Sequence, residues 1–211
     1  MSNIEKRAFN AEIEVRAEGE TPTISGYASV FNKRSENLGG FREVIAPGAF
    51  DGVLNDDVRA LFNHDANFLL ARTASGTLRL SVDEEGLRYE FEPPNTTAGR
   101  DLVESMKRGD ITQSSFAFTV ASDSWEERDG GMLRTINKVE RLYDVSPVTY
   151  PAYPDASVGL RSLEAFRSLQ EAESPVIEEA APAASPEVED NAKRELEILN
   201  LKQQLIEIGN E

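Results

Sequence analysis

Ile111–Ser122 reads ITQSSFAFTVAS. Phe116, Phe118 and Val120 recur with period two, and Ser114 falls in phase with them. Gln113, Ser115, Ala117 and Thr119 take the opposite face. The stretch therefore predicts a β-strand with one apolar face, and it puts two adjacent serines on opposite sides of a sheet.

Working upstream, TTAGRDLVESMKRG at 96–109 has the punctuation of a helix. Thr96 or Thr97 supplies an N-cap, and Ala98, Leu102, Val103 and Met106 share a face. Lys107 and Arg108 suit the negative end, and Gly109 is a left-handed stop. Before it, Leu78, Leu80 and Val82 alternate with polar residues, Asp83-Glu84-Glu85-Gly86 turns the chain, and Leu87, Tyr89 and Phe91 alternate on the return. That is a hairpin, ended by Pro93-Pro94. AEIEVRA (11–17), TISGYASVF (23–31), FREVIAPGAF (41–50, broken at Pro47-Gly48) and VRALFNHD (58–65) read as further strands. AFDGVLN reads as a short helical turn. Downstream, Trp125 begins another strand, Asp129-Gly130-Gly131 turns it, and 132–145 returns. The expected fold is α+β: a mainly antiparallel β-barrel or sandwich of about seven strands, mixed with helix.

The 211 residues suffice for one cored domain with extra segments. There is no cysteine, so disulfides and thiolate metal sites are excluded, and a reducing compartment fits. No long apolar run suggests a membrane span or a secretory signal. The net charge of −16 disfavours nucleic acid as a partner. Residues 163–211 hold 12 acids and 4 bases, against 26 and 18 in residues 1–162. The shift marks a boundary: a folded domain over 1–162, an acidic Ala/Pro linker over 163–190, and a short amphipathic helix over 191–211. In that helix Ile198, Leu201, Leu205 and Ile208 form a seam too short to be a stable coiled coil alone, so it is expected to dock on a partner.

The chain contains one histidine, His64. Any imidazole chemistry must use it, at the point where an apolar strand meets a polar loop. A lone histidine is more often a satisfied structural residue, and a serine in a strand is usually only a small polar side chain. A hydroxyl becomes a nucleophile when a base takes its proton and a third group holds the base's tautomer. The carboxylates show no calcium-loop spacing, and no metal or cofactor is expected.

Five segments occur in order: SGYASVFN, FREVIAPGAF, ALFNHD, AGRDLVESMKRGDITQSSFAF and LYDVSPVTYPAYP. Together, from about Gly26 to Val158, they resemble the tailed-phage prohead (capsid maturation) protease family. That family looks like a distant relative of the herpesvirus assemblins, which carry a Ser-His-His triad on a β-barrel flanked by helices. The resemblance places the family's histidine on His64 and its serine on Ser115. Gln113 and Ser114 depart from the family's usual Gly-Met, so Ser114 is a rival nucleophile, on the wrong face if the phenylalanines face the core. A second histidine does not exist here. The resemblance puts an acid before Val-Ser, Asp144 in this chain, with Glu140 as the alternative. The oxyanion donors are sought among backbone N–H groups after Val148.

The resemblance implies a serine endopeptidase that cleaves coat or scaffold segments, and itself, inside the immature capsid in the host cytoplasm. Its partners would be the major capsid protein and its scaffolding segment, with self-association open. A catalytically inactive capsid-assembly module is the alternative, and an esterase is weakened by the absence of Gly-x-Ser-x-Gly.

Overall fold

In a computed structural model of the chain, residues 4–9, 13–16, 22–150 and 162–168 are described. The tail expected to hold the linker and the amphipathic helix lies outside them, apart from 162–168.

The described residues form ten strands and one long helix: β1 (Glu5–Phe9), β2 (Ile13–Arg16), β3 (Thr23–Val30), β4 (Phe41–Ile45), β5 (Arg59–Phe62), β6 (Asp65–Arg72), β7 (Leu78–Val82), β8 (Gly86–Phe91), α1 (Thr97–Lys107), β9 (Gln113–Arg128) and β10 (Gly131–Val148). The α+β class and the dominance of antiparallel strands agree with expectation. The described strands outnumber the expected seven, and they form two open sheets rather than the expected barrel. One sheet runs β1-β9-β10-β5-β6 with β4 also on β10, and the second runs β2-β3-β8-β7. Among the described strands only β4 and β5 pair in parallel, both with β10.

The apolar phase read from the strands builds the core. Phe116 and Phe118 of β9 are fully buried, as are Leu87 and Tyr89 of β8, and they join Leu102, Val103 and Met106 of α1 in one cluster. Thr96 is the N-cap of α1, its Oγ1 accepting the Gly99 N–H at 3.2 Å. At the other end the Gly109 N–H donates to the Met106 carbonyl and the Asp110 N–H to the Ser105 carbonyl, both at 2.9 Å. That is a Schellman motif, with Gly109 at a φ of 81°.

Three local expectations are corrected. Trp125 does not open a new strand: β9 runs unbroken for 16 residues through it, because β10 pairs with it along its whole length. The 49–55 stretch, expected as one short helical turn, forms tight turns in succession, with the Ala49 N–H on the Ala46 carbonyl and the Val53 N–H on the Phe50 carbonyl. The strand expected to reach His64 ends at Phe62. Just past the expected domain end at 162, residues 162–168 are helical. Leu163 is buried with Leu38 and Phe41, and Phe166 stacks on Trp125.

Candidate active site

Three neighbouring strands position the side chains. Ser115 lies near the start of β9, opposite Ser146 of β10. Asp144, two residues before Ser146, shares its face and sits beside Arg59 of β5. His64 comes from the connection between β5 and β6. There Asn63 and His64 both have positive φ, 56° and 58°, and Phe62 pairs with Asp65. This is a two-residue hairpin turn of type I′, whose backbone twist suits antiparallel strands. Positive φ is uncommon outside glycine, and asparagine and histidine are among the residues that adopt it most readily.

Asn63 ties the turn to β10. Its N–H donates to the Pro147 carbonyl at 3.0 Å, and its side-chain Oδ1 accepts the Thr149 N–H at 2.9 Å. One of the expected oxyanion donors, the N–H just after Val148, is therefore already engaged. Residues 151–161 lie outside the described ones.

The turn brings His64 between the other two. Its Nε2 lies 2.6 Å from Ser115 Oγ, and its Nδ1 lies 2.6 Å from Asp144 Oδ1. Asp144 Oδ1 also accepts the Ser146 hydroxyl at 2.6 Å. The imidazole and carboxylate side chains are 7% and 10% exposed, and Ser115 is fully buried. With Nδ1–H donated to Asp144, Nε2 presents its lone pair to the serine hydroxyl. A carboxylate in that place holds the tautomer and stabilises the imidazolium formed when the base takes a proton. Ser146 was missed by the sequence reading, although period two from Asp144 places it on the same face.

The rival residues are elsewhere. Ser114 points into the core, its hydroxyl 2.7 Å from that of Tyr89, whose own ionisation burial pushes far upward. Glu140 is exposed. Period two would place it in phase with Asp144, but bulges interrupt β10 between Val139 and Arg141 and between Leu142 and Asp144. Asp65 only closes its own turn, accepting from the N–H and side chain of Asn67. Among the described residues no cluster of three His, Asp or Glu side chains could hold a metal ion.

Replacing Ser114 by Ala strands the buried Tyr89 hydroxyl. We expect thermal or denaturant unfolding to show a loss of about 1–3 kcal/mol, with peptidase activity preserved.

No curated protein sequence matches the chain. The chain is similar to the solved structure of the bacteriophage T4 capsid assembly protease, with a TM-score of 0.49 and 13% identity over 71% of this chain and 97% of that one. The model of the family described as caudovirus prohead serine protease matches residues 10–169. That span covers well over half of the chain and contains His64, Ser115 and Asp144, so the chain belongs to the caudovirus prohead serine protease family, the proteases of phage capsid maturation.

Proposed function

We propose that the chain is an active serine endopeptidase in which Ser115 is the nucleophile, His64 the general base and Asp144 the residue that orients the imidazole. The observation that supports this is the unbroken chain of two 2.6 Å hydrogen bonds from Ser115 through His64 to Asp144. An inactive assembly module would have no need to hold the only histidine of the sequence within 2.6 Å of both a serine hydroxyl and a carboxylate.

His64 Nε2 takes the Ser115 proton as Oγ attacks the scissile carbonyl carbon. The imidazolium, steadied by Asp144, then returns that proton to the leaving amine. Water repeats the sequence on the acyl-enzyme. Family membership makes the coat protein or its scaffolding segment the natural substrate, met inside the immature capsid. Ser146 acts as a positioning residue by filling one acceptor site of Asp144.

The test is co-expression with the coat protein of the same phage. Wild type should shorten the coat protein, and Ser115→Ala should leave it whole. Coat cleavage by Ser115→Ala at the wild-type rate would contradict the assignment. For the tail beyond Glu171, the proposed role is recruitment: the 191–208 seam binds the scaffolding segment. Removing 172–211 should leave peptidase activity intact and abolish packaging into proheads. Normal packaging of that truncation would rule the role out.

A further inference from the structure

The Ser115 hydroxyl has a second neighbour. It lies 2.9 Å from the backbone carbonyl oxygen of Arg7, in β1. That strand pairs antiparallel with β9, Ala8 opposite Ser115 and Arg7 opposite Phe116, and it leaves Ser115 with no exposed surface. A hydroxyl has one proton, so the Arg7 carbonyl competes with His64 Nε2 for it. While β1 stays in place, no other peptide can reach the nucleophile.

Adding a strand to a sheet edge is a general mode of peptide recognition: main-chain hydrogen bonds give affinity, and alternate side chains give specificity. Here the alternate side chains enter a buried ionic cluster. Arg7 Nε and Nη2 bind Glu43 at 2.8 and 3.1 Å. Glu5 binds Arg134 at 2.8 and 3.1 Å, and Arg7 also pairs with Glu5. Arg134 bridges back to Glu43 at 3.0 Å and reaches Asp123 at 2.6 Å. Glu5, Arg7, Glu43 and Arg134 are each no more than 5% exposed, whereas Lys6 between the first two faces solvent. Without β1, Glu43 and Arg134 would remain as a charged pair, each open to a partner of opposite sign. β1 also lies before residue 10, where the family match begins.

We propose that the β9 edge covered by β1 is the substrate cleft, and that β1 occupies it as an internal peptide in substrate register. The inference rests on the serine-protease reading and names its substrate class: an extended segment of the form Glu-x-Arg-small. Glu43 receives the arginine and Arg134 receives the glutamate two residues before it. The bond presented is Arg7–Ala8. Ser115 Oγ adds to the Arg7 carbonyl carbon, its proton passing to His64 Nε2. The C–N bond then breaks and the Ala8 nitrogen takes that proton. Water releases residues 1–7 with a new carboxylate on Arg7.

The test uses the full-length chain, a fluorophosphonate that phosphonylates an activated serine, and the synthetic peptide NIEKRAFNAE, residues 3–12. Arg7→Glu places a third carboxylate beside Glu5 and Glu43 and should expel β1, so Ser115 should label on the order of a hundredfold faster than in wild type. Lys6→Glu, which changes only the solvent face, should label at the wild-type rate. The Arg7→Glu chain should cut NIEKRAFNAE between arginine and alanine, and should ignore a peptide with the glutamate and arginine exchanged. Equal labelling of Arg7→Glu and of wild type that still carries residues 1–7 by intact mass would overturn the proposal. So would coat-protein cleavage by an Arg7→Glu chain that cuts the two peptides equally or not at all. A chain that keeps its thermal transition yet neither labels nor cuts coat protein would overturn the serine-protease reading beneath it.

Discussion

Ser115→Ala is expected to lower kcat for coat-protein cleavage by on the order of 10⁶, and His64→Ala to lower it as far. The two side chains act on one proton, at 2.6 Å from each other. Removing either removes the same event, so the double variant should be no worse than the single ones. A histidine in any other role would give an additive loss. Neither change should be lethal to the fold. Ser115→Ala trades a hydroxymethyl group for a methyl in a strand whose core contacts come from the opposite face, through Phe116 and Phe118. Measuring both kcat and the unfolding transition separates lost chemistry from lost structure.

Asp144→Asn should cost about 10⁴ in kcat with the shape of the site retained. The amide can still accept from Ser146 through its oxygen. His64 Nδ1 and the Ser146 hydroxyl both meet Oδ1, so an amide oxygen there keeps both hydrogen bonds and loses only the charge, whereas an NH₂ there favours the tautomer with the proton on Nε2, which cannot take a proton from Ser115. The carboxylate's charge is also lost when imidazolium forms. KM should change little, because Asp144 lies behind the imidazole rather than in the cleft. A loss in KM with kcat preserved would place Asp144 in substrate binding instead. Ser146→Ala should produce a smaller loss in the same direction, since it loosens Asp144 without removing the charge. Glu140→Gln, on the exposed face of β10, should leave both constants as they are.

The sequence was most legible where local period and local chemistry agree. The Phe116/Phe118 phase separated Ser115 from Ser114 because β9 keeps strict alternation there, and α1 declared both ends through Thr96 and Gly109. The β7–β8 hairpin showed itself by alternation about Asp83–Gly86. Legibility failed where distant partners decide. β1 has a glutamate and an arginine at its buried positions, which locally argue for solvent. Only Glu43 and Arg134, brought from β4 and β10, make their burial tolerable. β6 was missed because Asn67, Phe68 and Leu69 are all exposed, so no alternation marks them. Asn63-His64 looked like the fraying end of a strand rather than a turn with two left-handed residues. The preference of Asn63 for positive φ was the available hint. Asp144 was approached through the family's order of segments, and its rival Glu140 fell away because bulges, invisible to a period count, reset the phase of β10.

The tail after Glu171 follows a different logic. Its linker of acids, alanines and prolines gives little apolar surface to bury, and the Ile198, Leu201, Leu205 and Ile208 seam that follows is too short to be stable alone. The recruitment proposed for it depends on a partner, which is why packaging rather than peptidase rate is the informative measurement.

The central claim is that one serine of an adjacent pair is activated by the only histidine. It is tested most directly by treating the full-length chain at length with a fluorophosphonate and locating the adduct by peptide mass spectrometry. The account predicts a single adduct on Ser115, absent from the His64→Ala chain. An adduct on Ser114, or labelling of Ser115 that survives the loss of His64, would contradict it.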